Sequence, residues 1–283
     1  MTSADRGNDP LPPRVVDALR CSVCGTPIGA AGRTLRCENG HSFDLARQGY
    51  VNLLHARIPA GTADTAPMVA ARADFLASGA YRPLADELAR VCADADDLVI
   101  DAGAGTGYYL AHVLDEVPSA HGLALDVSAV ALRRAARAHA RLGAAVWNLW
   151  EPWPVGDGVA SAVLNVFAPR NGPEFHRVLR PGGLLVVAAP APDHLGELGD
   201  LVLAVDGRKE ERLDGTLGEY FARTARTPVR HQVELTAAQV RQAVEMGPAA
   251  HHLDRGGRRE RLDALSESQV VTLSFTVSTY RRL

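Results

Sequence analysis

Apolar positions along the chain fall into two rhythms. Five short apolar runs, near 98–101, 120–125, 144–148, 159–166 and 183–188, lack the polar alternation of a half-exposed strand. Between them, apolar residues return every three or four positions, as on one face of a helix. Unalternating strands spaced by helices predict a mostly parallel sheet covered on both sides, an α/β fold. Helices are expected over Met68–Ser78, where Val69, Ala73 and Leu76 share a face, and over Tyr108–Val117. Another begins near Tyr81-Arg-Pro-Leu84, with Pro83 suited to a first turn. Ser128–Arg141 reads as a helix with Ser128 as N-cap, its Arg133, Arg134, Arg137 and Arg141 forming a solvated face. Late in the chain, Val271–Tyr280 alternates like a terminal edge strand, inserted antiparallel.

The first apolar run opens the most informative stretch, Leu98-Val-Ile-Asp-Ala-Gly-Ala-Gly-Thr-Gly-Tyr-Tyr109. A strand that turns through glycines into a helix presents unpaired backbone N–H groups to a ligand. Gly103, Gly105 and Gly107 give the spacing G-x-G-x-G, not the G-x-G-x-x-G of dinucleotide binders. Asp101 precedes the turn, and Asp126 closes the next apolar run, where an acid holds ribose hydroxyls. Strand, glycines and two acids together read as a nucleoside cofactor site.

Upstream lies a second constellation. Cys21-Ser-Val-Cys24 is followed, after a twelve-residue gap, by Cys37-Glu-Asn-Gly-His41. Three thiolates and an imidazole suit tetrahedral Zn²⁺, and a C-x2-C knuckle supplies two ligands from one turn. Gly40 lets the chain curl back around the ion. With all four positions filled, the site is structural and not catalytic. Arg33–Arg36 and His41–Asp44 read as short strands of a ribbon. So small a module has no core of its own, and the metal supplies its folding energy.

These signals divide the chain into a disordered tail (1–13), a zinc-binding RNA-recognition module (14–57), a Pro/Gly/Thr-rich linker (58–67) and a cofactor domain (68–283). The 283 residues carry a formal net charge of −3, which gives no global attraction to nucleic acid. Residues 14–57, by contrast, hold six arginines against three acids. That local excess, which persists after the thiolates are counted, reads as a phosphate-contacting surface or, equally on charge alone, as a solvated face. Three of the four cysteines cluster in the module, which suits metal in a reducing cytoplasm and not a disulfide framework. Cys92 stands apart and reads as a small core residue. No apolar run approaches a membrane span, and the first ten residues have no apolar core of a signal peptide.

The fourth strand exits into Asn165-Val-Phe-Ala-Pro-Arg-Asn171, at the carboxyl edge where open α/β sheets bind substrates. There Phe167 offers an aromatic face and Asn165 a carbonyl to a planar base. After the fifth strand, His194 is placed to cap the other side of the cofactor, and Tyr81 is within reach of it from the second helix.

Taken together, the chain resembles the RlmA-type guanine-N1 methyltransferases of 23S ribosomal RNA. The resemblance runs from about Arg14 to the C-terminus and rests on several motifs. These are the zinc quartet, Gly49-Tyr-Val-Asn-Leu-Leu54, Ser78-Gly-Ala-Tyr81-Arg-Pro-Leu84, the Asp101 loop, Leu125-Asp-Val-Ser128, Ala168-Pro169 and Asp193-His-Leu195. Arg36-Cys-Glu-Asn-Gly-His41, Asn165–Asn171 and Met246-Gly-Pro248 are most similar to the TlrB subgroup, linked to resistance against tylosin-type macrolides. Ala102 departs from the family, whose members carry a larger apolar residue there. The resemblance implies a class I fold, Rossmann-like, with a mostly parallel seven-stranded sheet, and S-adenosylmethionine (SAM) as cofactor. It implies SAM contacts at Tyr81, Gly105, Thr106 and His194, and an adenine contact at Asn148. The implied substrate is a guanine of a domain II hairpin loop lining the peptide exit tunnel. The group that takes the N1 proton is left open; Glu245 has no counterpart in the family. A small-molecule methyltransferase with a merely stiffening zinc ribbon is the alternative. Oligomeric state is open too, a homodimer being one way to set two basic modules around one RNA.

Overall fold

The computed structural model describes residues 11–55, 63–203, 217–254 and 256–283. A short helix α1 (Pro13–Ala18) leads into a three-stranded antiparallel ribbon of β1 (Ile28–Ala31), β2 (Thr34–Cys37) and β3 (Ser42–Asp44). Next come β4 (Tyr50–Asn52), α2 (Ala66–Ala77) and α3 (Arg82–Val91). Strand and helix then alternate through β5 (Asp97–Ala102), α4 (Tyr108–Glu116), β6 (Ala120–Asp126), α5 (Ala129–Ala135) and β7 (Leu142–Val146). They continue through β8 (Ala160–Val166), α6 (Gly172–Val178) and β9 (Leu179–Pro190). The chain closes with β10 (Phe221–Leu235), α7 (Ala237–Glu245), α8 (Arg258–Asp263) and β11 (Gln269–Arg282).

The large sheet runs β10-β11-β9-β8-β5-β6-β7-β4. Strands β4 to β9 pair in parallel, and β11 runs antiparallel between β9 and β10. This is the class I SAM methyltransferase sheet, and the strand order reverses beside β5. The crevice at that switch point is where such sheets bind ligands.

Three expectations need correction. The sheet has eight strands, not seven, because Tyr50–Asn52 adds to its edge beside Ala144–Val146 of β7. Three residues are too few to announce a strand by periodicity. Second, β11 is no edge strand. It lies between β9 and β10 and is buried from Val271 to Tyr280, its hydroxyl residues included. Thr272 shows how the polar half is accommodated: its hydroxyl donates to Glu197 at 2.6 Å. The true edge is β10, hidden in the sequence by its arginines and Pro228, both features of protected edges. Third, α5 ends at Ala135, and Arg141 does not belong to a solvated helical face. Its guanidinium donates to the carbonyls of Val117 and Pro118, at 2.8 and 2.9 Å, and to those of Leu114 and Ala120.

The expected tail also needs trimming. Leu11 is buried, and with Val15 it fills the space that a side chain at Gly143 would occupy. Residues 1–10, the last two residues of the expected module (56–57) and 58–62 of the expected linker lie outside the described residues. Of that linker, Thr65 caps α2 by accepting from the Met68 N–H, and Ala66 and Pro67 already belong to the helix. Two apolar cores cover the faces of the sheet. One gathers Phe75, Leu84, Leu88, Leu110 and Leu132 from α2 to α5. The other joins Val15, Leu98, Ile100, Trp147 and Phe175 to Ile28, Leu35 and Leu45 of the ribbon. The ribbon thus shares its core with the sheet, which supplies the apolar burial that so short a segment cannot provide alone.

Candidate cofactor cavity and zinc centre

The N-terminal quartet closes on itself. The ligand atoms of Cys21, Cys24, Cys37 and His41 all lie within 4.8 Å of one another. Cys24 Sγ stands 3.8 Å from Cys37 Sγ, and His41 Nδ1 lies 3.6 and 3.4 Å from the sulfurs of Cys21 and Cys37. With Zn–S near 2.3 Å and Zn–N near 2.0 Å, tetrahedral edges come to about 3.8 Å for two sulfurs and about 3.5 Å for sulfur and nitrogen. The spacings match a Cys₃His zinc site. Gly40, at φ +82°, makes the turn between the last two ligands. Asn39 Nδ2 and Thr26 Oγ1 approach Cys24 Sγ at 3.4 and 3.3 Å, and these hydrogen bonds lower that thiol's pKa to about 5. Burial raises the pKa of Cys21, while the sulfur of Cys37 holds His41 above its ordinary value.

The second centre is a cavity of about 580 Å³ at the carboxyl ends of β5 to β8, of the size that holds a small molecule. Its floor is the glycine loop, with Gly103, Gly105 and Thr106 exposed to it. At Gly103, φ is +90° and a Cβ would fall 2.3 Å from the Ala168 methyl, so only glycine fits. Asp126, Asn148, Tyr81 and Phe167 complete the part foreseen in the sequence. Asp126 accepts from Gly105 N–H at 2.9 Å and Ser128 N–H at 2.8 Å, which fixes its rotamer and leaves lone pairs for further donors. Burial nevertheless raises its pKa.

Four foreseen residues do not line the cavity. Gly107 is the N-cap of α4, in the left-handed region. Asp101 is fully buried beside the loop, and neither carboxylate oxygen has a hydrogen-bond partner. Burial, then repulsion from Asp126, pushes its pKa up to about 8. An orphaned buried carboxylate calls for a cationic ligand nearby, and SAM carries both a sulfonium and an ammonium. The residues present therefore fit the cofactor.

His194 lies one layer behind. Its Nδ1 accepts from Ser274 N–H at 3.2 Å, so Nε2 carries the proton and donates to Tyr81 Oη at 3.0 Å. Burial lowers the imidazole pKa to about 4, which keeps it neutral. The Tyr81 hydroxyl proton is thereby left free to serve the cavity.

Asn165 does not line the cavity either, and its Oδ1, the carbonyl expected to meet a base, is buried with no hydrogen-bond partner. The residue is completely buried, its NH₂ donating to Pro169 O at 2.8 Å and Ala102 O at 3.2 Å. Strand periodicity would put residues 165 and 167 on one face. Phe167, at φ +55°, breaks that period and turns its ring out. Asn165 therefore anchors the loop on which Phe167 stands. A bulky residue in this region is a genuine outlier, of the kind that gathers at functional sites.

Sequence reasoning missed the upper wall. Arg72 pairs with Asp64 and donates to Met246 O at 2.8 Å, while Ser128 Oγ donates to Asp64 O at 3.2 Å. Asp64, Arg72 and Met246 all line the cavity, yet none of them belongs to the glycine-loop or strand-end signals that pointed to the site. Trp150 was missed as well. Glu245, the next residue to Met246, is tied to Arg259 at 2.7 Å and does not line the cavity.

Comparison with known proteins agrees with both centres. The RlmA N-terminal zinc-ribbon model matches residues 19–57, and a methyltransferase-domain model matches 99–183. A 23S rRNA (guanine(748)-N(1))-methyltransferase of Streptomyces fradiae is 48% identical over 95% of this chain and 98% of its own length. The chain belongs to the 23S rRNA (guanine-N1)-methyltransferase family. Within it, a similar protein of Micromonospora griseorubida is 48% identical over 95% of this chain and 99% of its own, and one of Bacillus subtilis 31% over 77% and 81%. This methyltransferase thus pairs a SAM-dependent domain with a Cys₃His zinc ribbon. Among the described residues, no helix is long and apolar enough to cross a membrane.

Proposed function

We propose that this chain transfers the methyl group of SAM to N1 of guanine 748 in 23S ribosomal RNA, in the cytoplasm. The reading is carried by one observation: a zinc ribbon and a SAM domain are joined along 95% of the chain at 48% identity to the Streptomyces fradiae enzyme. The hairpin loop lining the exit tunnel is the target, and resistance to tylosin-type macrolides is the outcome. When bound, SAM would supply an electrophilic methyl group on positively charged sulfur, leaving S-adenosylhomocysteine, while the guanine would lose its N1 proton.

The protein's own part is positioning, which accounts for most of the rate when the electrophile needs no activation. Asp126 accepts the ribose hydroxyls and Asn148 meets the adenine. Gly105 and Thr106 present the glycine loop to the cofactor, the hydroxyl of Tyr81 donates to it, and ionised Asp101 balances its positive charge. Phe167 gives its face to the guanine, with Asn165 holding its loop and His194 holding the Tyr81 hydroxyl. The ribbon's arginines contact phosphates. Labelled SAM offered with ribosomal RNA lacking the modification tests the reading. Methylation should block reverse transcription at one guanine, because N1 lies on the pairing edge. Transfer to a small molecule and not to RNA would overturn it.

A further inference from the structure

Every Trp, Tyr and Phe of the chain is among the described residues, and only two of them are exposed. They are Trp150, at 64%, and Phe167, at 42%, and both line the cofactor cavity. Leaving an indole in water forgoes a large apolar burial, so an exposed tryptophan at a cavity rim marks a contact surface.

The backbone at Trp150 is held firmly. Its N–H donates to Asn148 Oδ1 at 3.1 Å, and the Glu151 N–H donates to Asn148 O at 3.1 Å. The neighbouring carbonyl of Leu149 accepts from Trp153 Nε1 at 3.1 Å and from Asn171 Nδ2 at 2.9 Å. That second bond ties the Trp150 turn to the loop that carries Phe167. On its other side the same segment is bolted to the ribbon. Leu19 bridges Val155, Arg20 N–H donates to Pro154 O at 2.9 Å, and Gly156 N–H donates to Ala18 O at 2.8 Å. Trp150 therefore stands on a stretch that connects the cavity to the neck of the zinc ribbon.

We propose that Trp150 is a stacking platform for a second, unpaired base of the substrate RNA, beside the base taken at Phe167. The inference rests on the rRNA reading above and adds a recognition residue to it. Single-stranded loops are recognised by splaying their bases onto aromatic faces, and such stacking tolerates any base.

The test uses the zinc-loaded full chain, SAM, and a synthetic hairpin carrying the target guanine. Trp147 and Trp153 are buried, at 2% and 4% exposure, so Trp150 carries the solvent-sensitive emission. Adding the hairpin should quench it. Trp150→Ala should weaken hairpin binding about tenfold to a hundredfold, with SAM affinity by calorimetry unchanged, and Trp150→Phe should recover most of the loss. Three results would overturn the proposal: unchanged hairpin affinity in Trp150→Ala, a matching loss of SAM affinity, or conversion of a wild-type dimer to monomers. The second would give the indole to the cofactor, and the third to a second copy of the chain. Failure of the rRNA reading looks different, since the wild-type protein would then neither bind nor methylate the hairpin.

Discussion

The zinc centre and the cofactor cavity draw on the sequence over very different distances. All four metal ligands come from residues 21–41, whereas the cavity is walled by side chains from Asp64 to Met246. In the ribbon, local spacing settles the chemistry and tertiary packing settles the stability. In the cavity the order is reversed. A local glycine loop supplies the floor, and distant segments decide what else the ligand meets. The two regions are nonetheless one mechanical unit, because the ribbon's Ile28, Leu35 and Leu45 share a core with Leu98, Ile100 and Trp147.

Removing the metal breaks the comparison most severely. Chelation, or Cys37→Ser, should abolish rRNA methylation while SAM affinity stays within about tenfold, since structural zinc provides folding energy where it binds. It should also lower the melting temperature of the whole chain, because the core is shared. Full methylation without metal would separate the two regions entirely. Gly103→Val attacks the other side. Its Cβ would fall 2.3 Å from Ala168, so SAM affinity should drop by at least about a hundredfold. Zinc content, read by metal analysis, should not change.

Asp126→Ala removes hydrogen bonds worth about 1–3 kcal/mol, and calorimetry should show a matching loss of SAM affinity. An unaltered constant would take Asp126 out of the cofactor site. Asp101 predicts a pH dependence. Its pKa of about 8 means that the ligand-free protein holds a proton there below that pH, whereas a cationic ligand favours the ionised form. SAM affinity should therefore rise with pH by up to about tenfold per unit as it approaches 8, then level off. Asp101→Asn should flatten this profile. In the ligand-free protein the same shift runs against stability, which should fall as pH rises from the ordinary carboxylate range to 8. The smallest effect is expected at His194→Ala. Tyr81 keeps its place but loses the donor that orients its hydroxyl, so SAM should bind a few-fold more weakly, about 1 kcal/mol or less.

How much of this was legible beforehand follows from what each signal depends on. The five parallel strands and their helices could be read because fully buried strands have no polar alternation. The strand at 50–52 and the arginine-rich β10 could not, since pairing and burial of their neighbours, not their own composition, make them strands. That Asn165 is buried behind the cavity lining was not legible, because only the structure shows Phe167 in the left-handed region with its ring turned out while Asn165 stays buried.

By itself, then, the sequence determined the zinc quartet, the glycine loop with Asp126, and the parallel core, because each is a matter of neighbouring residues. Only the tertiary structure decided that Arg72 joins Asp64 to Met246 over the cavity, that His194 serves Tyr81, and that Trp150 lies between ribbon and cofactor. Apart from Arg72 and Asp64, eight residues apart, these contacts reach far along the chain, 174 residues from Arg72 to Met246 and 113 from Tyr81 to His194. Their geometry is set by how two cores pack on one sheet, which no local pattern records.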